Sequence, residues 1–358
     1  MVTNHHRLIS TGAFVRHDPI QEPDVRQALE RFLAERFPDA GTLESLTRFE
    51  GGQSNPTYRL QCRHADWVMR CKPGPVAKLL PSAHAIEREY RVLEALLPTP
   101  VPVAQTVLLC EDEAIIGRAF YLMAHVPGRV FFDPRLPELE PDQRAQVFAG
   151  MNETIAKLHA LDPEQIGLAD YAKPGNFFER QIGRWSKQYL ASVTEPIPAM
   201  DQLMNWLPAH IPAISETRLV HGDFRLDNLI FDAETLTVRA VLDWELSTLG
   251  DPLADFAYNC LAWFTPPGPM RGLAGIDLAA LGIPSLEAHV AAYANARGLP
   301  PIGHFNFYLA YNLFRLAAIA QGIAKRVLEG TAASAKAAEQ GALAAKVAAL
   351  GWSFAERA

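Results

Sequence analysis

A short island of strand-like sequence within a long helical region constrains the fold of this chain more than any other feature. The island consists of LVHGD at 219–223, NLIFD at 228–232 and VRAVLDWE at 238–245, apolar runs that end in polar residues. The turn-rich AETLT separates the last two runs, which are predicted to pair as an antiparallel hairpin. Helical periodicity dominates the surrounding segments 144–161, 177–190, 305–323 and the alanine-rich 332–350.

The polar residues of the island have the composition of a phosphoryl-transfer site. His221, Asp223 and Asn228 form the pattern H-x-D-x-x-x-x-N, and the apolar run 240–242 leads directly to Asp243. In phosphoryl transfer one carboxylate orients the attacking hydroxyl, while an amide oxygen and a second carboxylate hold Mg²⁺ against the nucleotide phosphates. Asp and Asn are also common turn and capping residues. Delivery of Asp243 by a strand favours the functional interpretation.

The first 125 residues follow a different pattern. They predict an amphipathic helix at 25–37, a β-region at 43–71, a helix at 82–97 with Ser82 as its N-cap, and strands at 106–110 and 120–125. The chain of 358 residues is also longer than a usual domain of about 100 to 200 residues. We therefore expect an α+β protein with a small antiparallel β lobe at 1–125 and a larger helical lobe at 126–358, which carries the candidate phosphoryl-transfer residues.

The segment FEGGQSN at 49–55 lies between two of the predicted strands. Gly51 and Gly52 permit close approach of a backbone to phosphate groups, and Ser54 offers a hydroxyl. An ordinary hairpin turn accounts for the same residues equally well. The segment is a candidate phosphate-binding loop.

Two cations share one face of the strand at 67–72. Arg70 and Lys72 alternate with apolar residues, so either can reach the nucleotide phosphates, unless this face is a solvated edge. In the following helix Glu89 shares the side of the buried stripe, whereas Glu87 lies on a polar side. Glu89 is the better partner for a phosphate-anchoring cation.

Charge and cysteine content narrow the class of protein. The net charge of −7 supplies no basic excess for nucleic acid or an anionic membrane, and neither partner is expected. The sequence contains no run of 18 apolar residues and no apolar stretch typical of a signal peptide near its start. The four cysteines contain no CxxC pair, which favours reduced thiols over a zinc site. We expect a cytoplasmic protein.

The segments HGDFRLDNLIFD and VLDWELSTLGDPLADFAY resemble the aminoglycoside phosphotransferase and choline-kinase-like family, which shares the two-lobed protein-kinase-like fold. The resemblance extends from about residue 43 to the last helices. It implies an ATP- and Mg²⁺-dependent kinase with Asp223 as the catalytic base. It also implies that Asn228 and Asp243 are the catalytic Mg²⁺ ligands.

The same resemblance assigns the nucleotide-binding residues. Glu89 is the helix glutamate and Arg70 the strand cation, with Lys72 as the reserve. The hinge YLMAHVPG places Met123 behind the adenine and offers it backbone groups of Ala124 and Val126.

The departures from protein kinases indicate a small-molecule acceptor. The chain lacks a G-x-G-x-x-G loop and an A-P-E segment, and it has D-W-E where protein kinases have D-F-G. SAHAIEREYRVLEAL, PGNFFERQIGRWSKQY and STLGDPLADFAY are similar to kinase-like domains fused to, or encoded beside, acyl-CoA dehydrogenases. This likeness implies a hydroxyacyl-CoA or hydroxy acid as acceptor and a functional association with an acyl-CoA dehydrogenase.

Other interpretations stay open at this point. They are an aminoglycoside or amino-alcohol kinase, a catalytically silent nucleotide-binding scaffold on the same fold, and a hydrolase that uses the two carboxylates with water. Arg180, Arg184 and Trp185 lie on one predicted helix and either recognise an acidic acceptor or are surface arginines beside a core tryptophan.

Overall fold

A five-stranded antiparallel sheet forms the N-terminal part of the computed structural model, which describes residues 18–49, 55–73, 85–172, 175–213, 216–331 and 337–358. The strands are β1 (Leu43–Arg48), β2 (Thr57–Cys62), β3 (Asp66–Cys71), β4 (Thr106–Cys110) and β5 (Phe120–Ala124). Their order is β1-β2-β3-β5-β4, and each neighbouring pair is antiparallel. The predicted β-region and both short strands are confirmed.

Two helices cover the faces of the sheet, α1 (Pro23–Arg36) and α2 (Ile86–Leu96). Met69 and Cys71 of β3 pack in one apolar cluster with α1. Val68 points the other way and shares a cluster with α2. Because side chains alternate along a strand, Arg70 lies on the same face as Val68. Ser82, the predicted N-cap of α2, lies outside the described residues.

The remainder of the described chain is mainly helical. The helices are α3 (Pro141–Ala160), α4 (Phe177–Ser192), α5 (Pro198–Ala209), α6 (Pro252–Asn259), α7 (Leu278–Leu281), α8 (Leu286–Arg297), α9 (Phe305–Leu328), α10 (Ala337–Gly341) and α11 (Ala344–Ala355). Helix α9 contacts α4, α5, α6, α10 and α11. Its sequence is apolar on most sides, as expected for a helix buried among others. The expected α+β fold class is confirmed.

The alanine-rich stretch forms two helices where the sequence predicted one. Residues 332–336 lie outside the described part, and α10 ends before α11 begins at Ala344. A Cβ atom on Gly341 would lie only 2.8 Å from the Cα atom of Ala324, so α10 approaches α9 backbone to backbone. This contact depends on glycine, and the helical stripe in the sequence does not reveal it.

Four short strands form the island, β6 (Arg218–Val220), β7 (Leu229–Phe231), β8 (Val238–Val241) and β9 (Thr248–Gly250). Strands β7 and β8 pair antiparallel, so the predicted hairpin is confirmed. Strand β6 pairs with β9, which the sequence analysis did not predict. Gly222 follows β6 with φ +81°, and a Cβ atom there would lie 2.6 Å from the Leu246 carbonyl oxygen. The loop after β6 therefore requires glycine at this position.

Strand β5 ends at Ala124, and the chain then leads to α3. The division into 1–125 and 126–358 stays a prediction. None of the helices in the described part of the chain is both long enough and apolar enough to span a bilayer.

Candidate active site

A cleft of about 1690 Å³ separates the N-terminal sheet from the C-terminal helices. Two adjoining parts of its lining differ in chemistry. One part, called here the carboxylate end, contains Arg70, Asp223, Asn228, Asp243 and Glu245. The other, called here the arginine end, contains Arg225, Arg271, Arg315 and apolar side chains of α9 and α11.

Arg70 connects three elements at the carboxylate end. Its Nε atom lies 2.9 Å from the Glu89 carboxylate on α2, and its Nη2 atom lies 2.6 Å from Asp243 Oδ1 after β8. Glu245 is 3.6 Å from the same Nη2 atom. Lys72 instead pairs with Glu87, and both side chains are about one-third exposed. Of the two cations proposed from the sequence, the geometry favours Arg70.

Glu89 is held in place by protein donors as well as by Arg70. The Asn55 side-chain amide donates to one carboxylate oxygen at 2.8 Å, and the Tyr121 hydroxyl donates to the other at 3.2 Å. The side chain is 2% exposed, and burial raises its pKa to about 7 against the opposing effect of Arg70. The sequence analysis assigned no role to Asn55 or Tyr121. The available signals were an Asn that follows the glycine turn and a single Tyr in an apolar strand.

A buried carboxylate fixes the loop that carries Asp223. The backbone amides of His221 and Gly222 donate to Asp255 of α6 at 2.7 and 2.9 Å. His159 lies 3.2 Å from the same carboxylate, and although burial raises the pKa of Asp255, these partners lower it below its usual value. Asp255 therefore braces this loop, and His159 is a buried histidine whose ring nitrogens both have partners.

His221 links this loop to the strand before Asp243. Its Nδ1 accepts a hydrogen bond from the Asp223 amide at 3.2 Å, so its Nε2 carries the proton and donates to the Leu242 carbonyl at 2.7 Å. The imidazole ring is fully buried. His221 therefore holds Asp223 and Asp243 in a fixed relation.

Asp223 and Asn228 contact each other directly. The Asn228 Nδ2 atom donates to the Asp223 backbone carbonyl at 2.8 Å and to Asp223 Oδ2 at 3.1 Å. Because the nitrogen makes both bonds, the amide oxygen is the atom suited to a metal ion. The Tyr258 hydroxyl of α6 donates to Asp223 Oδ1 at 2.6 Å, a contact that the sequence analysis did not predict.

Asp243 adopts a strained backbone conformation, with φ +65° in the left-handed region. Such strain in a non-glycine residue is concentrated at functional sites. The Leu242 amide donates to the Asn228 carbonyl at 2.8 Å, so the two candidate metal ligands lie on adjoining backbone. Mg²⁺ binds one or two protein carboxylates together with phosphate and water oxygens. The amide oxygen of Asn228 and the carboxylate of Asp243 fit that preference.

The predicted hinge residues line the cleft beside the sheet. Met123 and Ala124 are the last residues of β5, and Val126 follows in the connection to α3. The Ala124 amide donates to the Gln105 carbonyl at 2.8 Å. The Ala124 carbonyl oxygen would therefore be the group that accepts a hydrogen bond from an adenine.

Three arginines surround the arginine end. Arg225 Nε lies 3.3 Å from Asp223 Oδ1, and both Arg225 and Arg271 pair with Asp227. Arg315 donates to the Gly222 carbonyl at 2.6 Å. The apolar lining comprises Phe132, Met270, Leu316, Ile319, Ile323, Leu343 and Val347. The sequence analysis missed this end, although Arg315 is the single charged residue between positions 305 and 324.

The three residues proposed for acceptor recognition lie on α4, and among the described residues they are not part of the cleft lining. Arg180 donates to the Gly175 carbonyl beside the start of its own helix. Arg184 lies 5.1 Å from the Trp185 ring, which is buried and faces Arg315 at 5.7 Å. Gly51, Gly52 and Ser54, the candidate phosphate-loop residues, lie outside the described residues.

Comparisons with known proteins agree on the class of the chain. Residues 45–299 match the model of the phosphotransferase enzyme family. A solved structure from Ralstonia eutropha JMP134, described as a putative aminoglycoside phosphotransferase, is 51% identical, covers 93% of this chain and 98% of its own, and superposes with a TM-score of 0.84. An aminoglycoside phosphotransferase solved with ADP and hygromycin B shares the fold, with a TM-score of 0.61 at 16% identity over 91% of this chain and 98% of its own.

Curated relatives are longer proteins. Mouse acyl-CoA dehydrogenase family member 10 is 47% identical over 93% of this chain, which spans 31% of that protein. Human acyl-CoA dehydrogenase family member 11 is 41% identical over 87% of this chain and 40% of its own length. The chain therefore spans about a third to two-fifths of these relatives.

Proposed function

Because the chain belongs to the phosphotransferase enzyme family, we propose that it transfers the γ-phosphoryl group of ATP to a hydroxyl group of a small molecule in a Mg²⁺-dependent reaction. The observation that carries this proposal is the set of contacts around Arg70. They bring a strand cation, the buried Glu89 of α2 and Asp243 together at the same end of the cleft as Asp223 and Asn228. A phosphoryl-transfer site needs these charges in this combination.

Each residue has a distinct proposed task. Asp223 orients the acceptor hydroxyl and takes its proton, while Asn228 and Asp243 hold Mg²⁺. The metal ion supplies neutralisation of the phosphate charge when it is bound. Arg70, fixed by Glu89, faces the phosphates. Since phosphoryl transfer requires little covalent chemistry from the protein, catalysis rests on positioning and on charge.

The nucleotide is proposed to bind beside β5 in the lobe of residues 1–125, and the acceptor in the lobe of residues 126–358. Met123 packs behind the adenine, and backbone groups of Ala124 and Val126 contact its edge. Gly51, Gly52 and Ser54 close over the phosphates.

The preferred acceptor is a hydroxyacyl-CoA or related hydroxy acid. Arg225, Arg271 and Arg315 offer planar donors suited to carboxylate or phosphate groups. The apolar side chains of α9 and α11 beside them offer a surface for an acyl chain. A polycationic aminoglycoside would meet like charges there. The relatives named as acyl-CoA dehydrogenase family members support a functional association with such an enzyme.

The test is Mg²⁺-dependent formation of ADP from ATP, with GTP in parallel, in the presence of hydroxyacyl-CoAs, hydroxy acids, aminoglycosides or amino alcohols. Asp223→Asn should abolish transfer. The matched control is Asp232→Asn, because Asp232 is a carboxylate of the β7–β8 turn that hydrogen-bonds the amides of Glu234 and Thr235.

Each outcome of this assay has a defined meaning. Transfer to hydroxyacyl-CoA that only Asp223→Asn loses would support the proposal in full. Transfer to an aminoglycoside or amino alcohol alone would overturn the acceptor class. Nucleotide binding without turnover would indicate a silent scaffold, and phosphate release with every acceptor left unmodified would indicate a hydrolase.

A further inference from the structure

Both oxygens of the Asp223 carboxylate already carry a hydrogen bond from the protein. Tyr258 donates to Oδ1 at 2.6 Å, and Asn228 donates to Oδ2 at the longer distance of 3.1 Å. An O–H to carboxylate bond of the shorter length is charge-assisted and among the strong hydrogen bonds of proteins. The Tyr258 phenol therefore occupies one of the two positions from which a hydroxyl or a water molecule can approach this base.

The phenol is held rigidly in this position. Tyr258 lies three residues after Asp255 on α6, so one helix face carries both the phenol and the carboxylate that fixes the loop of Asp223. The Arg315 guanidinium lies 5.1 Å from the phenol ring and donates to the Gly222 carbonyl of the same loop. Burial, with the nearby Asp223 charge, raises the pKa of Tyr258, so the phenol remains a protonated donor.

We infer that Tyr258 is a positioning residue that caps Oδ1 of Asp223 and thereby suppresses hydrolysis of ATP when no acceptor is bound. The inference rests on the proposed phosphotransferase function. The acceptor hydroxyl then uses Oδ2, beside Asn228. In the suppressed reaction a water oxygen would bond to the γ-phosphorus, the bond to the β,γ-bridging oxygen would break, and Asp223 would take the proton from water.

The space that the hydroxyl fills is suited to water. Tyr258→Phe removes a single oxygen atom and leaves a gap bordered by Asp223 Oδ1 and by Arg225, whose Nε atom is 3.3 Å from that oxygen. A buried water molecule is stable where two or more polar groups face it. In this variant the water molecule would contact the catalytic carboxylate directly.

The experiment compares wild type, Tyr258→Phe and Tyr189→Phe. With ATP and Mg²⁺ alone, Tyr258→Phe should release ADP about tenfold faster than wild type, the equivalent of about 1.4 kcal/mol. With an acceptor, the fraction of consumed ATP that yields phosphorylated product should fall, while KM for ATP stays unchanged. Tyr189→Phe is the matched control, since the Tyr189 hydroxyl of α4 is buried and accepts from the Ile197 amide, and Tyr189 is not among the described residues that line the cleft. Melting temperatures confirm that both variants fold.

Failure of the inference is distinguishable from failure of the proposed function. Wild type that neither transfers phosphate nor hydrolyses ATP would overturn both. Suppose that wild type transfers phosphate to an acceptor. Equal rates of ATP hydrolysis in all three proteins, or an equal rise in hydrolysis in both variants, would then overturn the capping role alone. A phosphate group found on Tyr258 by mass spectrometry after incubation of wild type with ATP would also overturn it, because the phenol would then be a nucleophile.

Discussion

The carboxylate end and the arginine end lie in one cleft but carry opposite net charge. At the carboxylate end Asp243 and Glu245 lie beside Arg70, and Asp223 lines the same part of the cleft, so the carboxylates outnumber the cation there. At the arginine end Arg225 and Arg271 pair with Asp227, and Arg315 hydrogen-bonds the Gly222 carbonyl, so the three cations outnumber that carboxylate and leave positive charge. In the proposed reaction the two ends would bring a metal–nucleotide complex and an anionic acceptor to the same base, Asp223.

The largest effect is expected at the carboxylate end, from loss of a proposed metal ligand. Asp243→Asn should lower kcat about 10²- to 10³-fold, the range seen when a group that stabilises transition-state charge is removed. The fold should persist, since Asp243 is one-third exposed. Phosphoryl-transfer rates and melting temperature test this, with Asp232→Asn as control. Equal rates in both variants would remove Asp243 from the metal site.

The two cations of β3 provide the next comparison. Arg70→Met removes one partner of a buried pair and leaves Glu89 uncompensated, so it should cost about 3 to 5 kcal/mol of unfolding free energy and raise KM for ATP. Lys72→Met should change either quantity little, because the pair of Lys72 with Glu87 is partly exposed and worth about 0 to 1 kcal/mol. Urea unfolding and steady-state kinetics measure both.

If Arg70→Met and Lys72→Met have equal effects on stability and on KM for ATP, Arg70 is not the phosphate-anchoring cation. A rise in KM for ATP in Lys72→Met alone would assign the phosphate-anchoring role to Lys72. Loss of stability in Arg70→Met with unchanged KM for ATP would make the Arg70–Glu89 pair structural only.

Protonation of one buried histidine beneath the cleft should lower the stability of the whole fold at acid pH, and so affect both ends of the cleft equally. His289 on α8 contacts the Phe256 and Trp263 rings and lies 2.9 Å from Asn259 Oδ1, while Asn259 donates to the Phe224 carbonyl. Burial lowers the pKa of His289 to about 4. The unfolded chain gains this proton near pH 6.5 and the native chain only near pH 4, so stability is lost as pH falls through that window, by about 3 kcal/mol.

His289→Gln should reduce this loss of stability at low pH, and the surface variant His210→Gln should retain it. The test is the difference between the free energies of unfolding at neutral pH and near pH 4.5. If this difference is the same in His289→Gln as in wild type, other groups cause the acid destabilisation.

The sequence predicted the parts of the site that local patterns encode. Strand alternation put Arg70 and Lys72 on one face of the strand, helical spacing singled out Glu89, and apolar runs ending in Asp223 and Asp243 indicated strand ends. These features depend on residues a few positions apart. The hairpin β7–β8 belongs to the same class, because its turn lies between the strands it joins.

The missed parts depend on contacts between distant segments. Arg315 reaches the Gly222 carbonyl across 93 positions, and Tyr258 reaches Asp223 across 35. Strand β9 pairs with β6 although the β7–β8 hairpin lies between them in the sequence. Periodicity within one element carries no information on which other element it faces. The arginine end, assembled from five separate segments, was therefore invisible in the sequence, and α4 was proposed in its place.

The smallest effect is expected at the arginine end, and its measurement tests the charge of the acceptor that this end binds. Arg271 is nearly half exposed, pairs with Asp227 and lies 5.7 Å from the Phe132 ring. Arg271→Ala should raise KM for a hydroxyacyl-CoA about tenfold with kcat unchanged, because a cation that attracts the anionic acceptor is lost. A tenfold change corresponds to about 1.4 kcal/mol of binding free energy. The effect should shrink with added salt, which screens exposed charges. Arg239→Ala is the matched control, because Arg239 forms a similar exposed pair with Asp232 on the β7–β8 hairpin. An unchanged KM for the hydroxyacyl-CoA, together with a lower KM for an aminoglycoside once this like charge is removed, would reverse the charge assigned to the acceptor at this end of the cleft.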